Sequence, residues 1–129
     1  MALPEQDFGW NATVLIVAHV AMVGLLKLML SDYPRDAYVL GSTSRVLWFA
    51  LLSTPPVVVG LAARKPHTAV LIALVHALSP LGLLGILRTP GEDLNFMMFV
   101  WWAYVPAIAG IVLGLEHLVL TRSARSSAR

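Results

Sequence analysis

The 129-residue chain has no cysteine, which excludes disulfides, thiolate metal sites, iron–sulfur ligation and thiol nucleophiles. Charge is scarce. Only 12% of residues are Asp, Glu, Lys or Arg, against roughly a quarter in ordinary soluble domains. Apolar residues make up 58% and the mean hydropathy is +0.78. So few charges cannot clothe a water-facing surface, so composition points to an integral membrane protein. The net charge of +2 reflects few charges altogether. No basic stripe with interleaved aromatics exists for nucleic acid to engage. HExxH, a Gly-rich phosphate loop and GxSxG are all missing, and no carboxylate lies in the middle of an apolar run. No catalytic constellation is therefore expected. The opening stretch MALPEQDFGW holds acids but no Lys or Arg. A cleavable signal peptide needs a basic start, so the first apolar run is read as a retained span. The NAT triplet at Asn11 sits at the lip of that span and is read as a chance sequon.

What is present is four apolar runs near membrane-crossing length, about 20 residues each: residues 11–30, 46–63, 67–87 and 96–120. The expected fold is an all-α integral membrane protein, one four-helix transmembrane domain over residues 1–121, followed by a polar basic tail at 122–129. Four crossings give an antiparallel bundle with both termini on one side. That side carries Arg64, Lys65, Arg122, Arg125 and Arg129, and the other Arg35, Arg45 and Arg88, with Lys27 reaching toward it. The positive-inside bias places both termini in the cytoplasm, in a plasma (inner) membrane. Trp10, Trp48, Trp101 and Trp102 fall at span edges, where amphipathic rings anchor helices at the interface. Glu116 and His117, at the cytoplasmic end of the fourth span, are read as further anchors. The tail TRSARSSAR is expected to be irregular unless lipid or a partner holds it.

Helices in lipid approach closely where small residues line a face. Ala69, Ala73 and Ala77 make such a stripe on the third span, and Ala103, Ala107, Gly110 and Gly114 on the fourth. These are expected helix-packing seams, within the chain or against another chain. Pro55–Pro56, Pro80 and Pro106 predict kinks in helices 2, 3 and 4, because each proline removes a donor and crowds the carbonyl four residues earlier. Ser53 and Thr54 supply hydroxyls that can serve the carbonyls freed around Leu51 and Leu52.

Two histidines sit deep in apolar runs. At ~1.5 Å per residue, His19 lies about 12 Å and His76 about 13 Å from the cytoplasmic ends of their spans. His76 shares the helical face of Ala69 and Ala73, whereas His19 lies off the face of Ala18, Ala21 and Gly24. Equal depth on two helices suits axial ligation of a haem b, a proton relay, or a plain hydrogen bond. In size and span count the chain is similar to small four-span transporters of the multidrug-resistance type. That resemblance implies a homodimer, but those proteins carry a glutamate in the first span where this chain has His19. The expected function is a non-catalytic accessory subunit of a larger membrane complex. Its partners would be the lipid bilayer and other membrane subunits, or a second copy through the small-residue seams. Two alternatives are a haem b electron-transfer subunit using His19 and His76, and a small homodimeric transporter or channel.

Overall fold

The computed structural model describes residues 6–30, 50–81 and 94–129, with side chains at 6–28, 50–81 and 103–129. Among these residues the regular structure is all helical: α1 (Phe8–Leu30), α2 (Pro55–Leu61), α3 (Pro66–Leu78) and α4 (Leu94–Ser127). Two stretches are long and apolar enough to cross a membrane, Phe8–Leu28 with 21 residues and Ala103–Ser127 with 25. Ala50–Leu61 and Pro66–Leu78 are shorter apolar helices. The rest of the second and third expected spans, together with Trp48, lies outside the described residues.

Local chemistry sets the helix ends. Asp7 caps α1, its carboxylate accepting the Trp10 backbone N–H at 3.0 Å, which satisfies a donor that the first helical turn leaves orphaned. Pro55 opens α2 and Pro66 opens α3, positions where a missing N–H costs nothing. A helical turn at residues 50–52 precedes α2, and Ser53 and Thr54 are not helical. The Pro55–Pro56 pair thus starts a helix instead of sitting inside one. The two hydroxyls serve the break one residue earlier than the expected Leu51 and Leu52 carbonyls: Ser53 Oγ donates to Ala50 O at 3.0 Å and Thr54 Oγ1 to Leu51 O at 2.9 Å. Pro80 follows the end of α3, and Pro106 lies within α4.

The tail departs from expectation. α4 continues through Ser127, where Ser127 Oγ donates to the Ser123 carbonyl. Arg and Ala are good helix formers, and Arg125 in the last turn sits favourably at the negative end of the helix dipole.

The core is small. Leu15 and Ala18 of α1, Ile72 and Ala73 of α3 and Ala109 of α4 form one buried cluster, with Val57, Val59 and Leu61 of α2 packed against it. α2 approaches closely only because residue 60 is glycine. A Cβ there would lie 2.7 Å from Leu15 Cδ2 and 3.2 Å from Ile72 Cγ2.

The small-residue faces of α3 and α4 are turned differently. On α3, Ala69 and Ala73 are buried and Ala77 is half-buried against the core. On α4, Ala103, Ala107, Gly110 and Gly114 are all exposed, and a Cβ added at either glycine would meet nothing within 4 Å. The buried stripe is instead Val105, Ala109, Glu116 and Leu120, roughly opposite on a helix turning ~100° per residue. Small side chains permit close approach but do not compel it. The rotation of α4 is decided by Glu116, whose carboxylate is tied to the α2–α3 turn.

Candidate functional site: a buried histidine pair and a polar clamp

α1 and α3 start at the same end, where the Trp10 indole Nε1 donates to the Pro66 carbonyl at 3.3 Å. His19 lies 11 residues beyond Phe8 and His76 10 beyond Pro66, so equal rise brings the rings to one level. They meet. His19 Nδ1 and His76 Nε2 are 2.9 Å apart, ring centroids 5.2 Å apart and planes within 11°. The buried face of α1 is Asn11, Leu15, Ala18, Met22 and Leu26, not the small-residue face that Ala21 and Gly24 suggested. His19 flanks that stripe and reaches α3 from its edge.

His76 is fully buried, at 0% exposure. Its carbonyl accepts Ser79 Oγ at 2.7 Å, and Tyr104 of α4 donates its hydroxyl to the Ser79 carbonyl at 3.1 Å. A polar seam therefore runs from α1 through α3 to α4. His76 Nδ1 is buried with no hydrogen-bond partner among the described residues.

A second polar cluster grips the turn between α2 and α3. The Asn11 side-chain amide, 1% exposed, donates to Ala63 O at 2.6 Å and Leu61 O at 3.4 Å. The Gln6 amide also donates to the Leu61 carbonyl. From the other side, Glu116 accepts the backbone N–H groups of Arg64 at 2.8 Å and Lys65 at 3.2 Å. Carbonyls of the turn thus go to α1 and its amides to α4, which answers the obligatory pairing of buried backbone groups.

These contacts correct the reading of Glu116 as a headgroup anchor. It is buried and bonded to backbone. Adjacent residues face different sides of a helix, so His117 is exposed while Glu116 is not. Trp10 is half-exposed. The side chains of Trp101 and Trp102 lie outside the described residues. Asn11 was passed over as a chance sequon. An amide facing inward at the first turn of an apolar helix was the available signal, because such a group must find a backbone partner.

The pair as placed does not fit a haem iron. Metal–nitrogen bonds of ~2.0–2.1 Å hold two trans imidazole nitrogens roughly 4 Å apart, and these nitrogens are 2.9 Å apart. Among the described residues no group of three His, Asp, Glu or Cys side chains could hold a metal ion. No known protein family, curated protein or solved structure matches the chain.

Proposed function

We propose that the chain is an integral membrane protein of four spans, both termini cytoplasmic in a plasma (inner) membrane, acting as a non-catalytic accessory subunit of a larger membrane complex. The observation that carries this reading is the outward face of α4. Ala103, Ala107, Gly110 and Gly114 line it, next to exposed Ile111, Leu115 and Leu118. Small residues at this spacing let a second helix backbone approach closely, and no helix of this chain uses the face among the described residues. An open groove of about 410 Å³ beside Ala62, Arg64, Gly110, Gly114 and His117 adjoins it. The occupant is a transmembrane helix of another subunit. The polarity of the molecule supports the lipid setting: Asn11, Ser53, Thr68, His76, Ser79 and Glu116 are inside, while Val17, Val20, Leu28 and Val58 are more than 60% exposed.

The test is purification of the full chain in mild detergent, followed by mass spectrometry of the complex. A foreign membrane protein should co-purify, and Gly110→Leu with Gly114→Leu should release it. A lone monomer overturns the reading. A complex of this chain alone replaces it with the homodimeric transporter or channel. The haem b alternative requires His19 and His76 to part, and a missing Soret band after haem supplementation ends it.

A further inference from the structure

We propose that the groove between the start of α3 and the last turns of α4 binds an anionic phospholipid, its phosphate held at Lys65, His67 and Thr68. The proposal rests on the reading of the chain as a membrane protein, and not on a partner at the glycine face of α4. The groove is open and holds about 230 Å³. Val112, Leu115 and Val119 form its α4 wall, roughly 100–180° round the helix from Gly110 and Gly114 at ~100° per residue. The two faces of α4 are therefore separate surfaces.

Thr68 carries the inference. It is 5% exposed and lines the groove, yet its hydroxyl has no hydrogen-bond partner among the described residues. Only its backbone N–H is used, donating to the Lys65 carbonyl at 3.1 Å. Buried hydroxyls are ordinarily paired, so one left without an internal partner at a groove wall calls for an acceptor from outside the chain. Its neighbours supply further donors. Thr68 and Ala69 both send their N–H to the Lys65 carbonyl, and Pro66 has none to send. The His67 N–H is thus the unpaired donor of the first turn among the described residues, at the helix end that favours an anion. Lys65 adds an ammonium and makes no ion pair among the described residues.

Glu116 also borders the groove. Its two oxygens are taken by the Arg64 and Lys65 backbone N–H groups at 2.8 and 3.2 Å, and the side-chain charges of those two residues outnumber its own. Arg122 follows Leu115 and Val119 at helical spacing, which puts a further cation on the same face of α4. The mouth is net positive.

A free phosphate ion would use this mouth alone. Beneath it the walls are apolar, with Leu71, Leu115 and Val119 each about half-exposed, and a phospholipid covers both parts, phosphate above and acyl chain below. The level is right for a headgroup. The Trp10 indole donates to the Pro66 carbonyl at 3.3 Å, and indoles concentrate where spans meet the headgroup layer. Basic pockets between spans are sites for anionic headgroups.

The test reconstitutes the full chain in vesicles of equal parts phosphatidylcholine and phosphatidylglycerol, extracts it in mild detergent and counts retained lipids by native mass spectrometry. Wild type should retain phosphatidylglycerol several-fold over phosphatidylcholine. Lys65→Gln should lower that preference about five-fold, the factor that one cation near the membrane surface supplies. Thr68→Val keeps the shape and should also lower it, while leaving the unfolding midpoint in lipid-free detergent unchanged. A merely structural hydroxyl would do the reverse. Arg125→Gln is the charge control, since Arg125 lies six residues past Val119 and on a different face of α4; it should retain the wild-type preference. Equal retention of the two lipids by wild type overturns the proposal, and so does an equal loss in Arg125→Gln and Lys65→Gln, which would leave surface charge as the cause. A photoreactive group at Leu71 should label lipid in the native membrane, and a protein adduct there would give the groove to a helix of another subunit instead. Failure of the chain to enter vesicles overturns the membrane reading itself, whereas entry without lipid preference overturns the lipid site alone.

Discussion

Asn11 and Glu116 hold the same α2–α3 turn from opposite sides, one through its carbonyls and the other through its amides. Replacing Asn11 by Leu keeps the volume but leaves the Ala63 carbonyl without its 2.6 Å donor. The expected loss is about 1–3 kcal/mol, the cost of a buried unsatisfied group, read as a lower unfolding midpoint in detergent. Glu116→Gln should cost a similar amount, about 1–3 kcal/mol, because bonds to a charged acceptor are the stronger kind. The amide can accept from Arg64 or Lys65, but its NH₂ then opposes the other N–H. Glu116→Gln unfolding at the wild-type midpoint would show that the carboxylate is not what seats α4. Neither role was legible beforehand. An ionisable residue near a span end has the same sequence signature whether it meets lipid headgroups or a backbone turn from a segment some 50 residues away in the chain.

At Gly60, α2 lies tight against Leu15 and Ile72. Gly60→Ala drives a Cβ into Leu15, which is itself fully buried. Overpacking of this kind costs about 1–3 kcal/mol, and thermal unfolding of the detergent-solubilised chain checks it. Gly114→Ala is the paired control. Its Cβ meets nothing within 4 Å, and the exchange of Gly for Ala in a helix adds propensity, so the monomer should be unchanged or stabilised by up to about 1 kcal/mol. A reversed ranking would mean that α2 and α4 pack otherwise. At this scale much was readable in advance. The apolar runs coincide with α1 and α4 and with the described parts of the other two spans. Pro55 and Pro66 mark helix starts for the reason that proline suits a first turn. The polar composition of the tail argues against a packed core, which is a different question from whether Arg, Ala and Ser continue a helix already nucleated by α4.

Among the described residues of the whole molecule, Asn11, Ser53, Thr68, His76, Ser79 and Glu116 are buried with the apolar core, while many large aliphatic side chains are exposed. The buried cluster among the described residues lies between α1, α3 and α4, while the Gly-rich side of α4 faces away from it. The double variant Gly110→Leu, Gly114→Leu should therefore leave the monomer's stability intact and abolish association, measured by crosslinking in the native membrane. Loss of both together would instead place those glycines in the fold of the chain itself. What the sequence determined alone was local: where apolar runs become helices, where prolines start them, and that His19 and His76 lie at one depth, since composition and a fixed rise per residue need no knowledge of neighbours. How each helix is turned about its axis depends instead on contacts between distant parts of the chain. That angle is set by polar groups seeking partners across the chain, Asn11 and Glu116 on the α2–α3 turn and His19 on His76. A stripe of small residues cannot predict it, because small side chains make a close contact available while a buried hydrogen bond makes one orientation necessary.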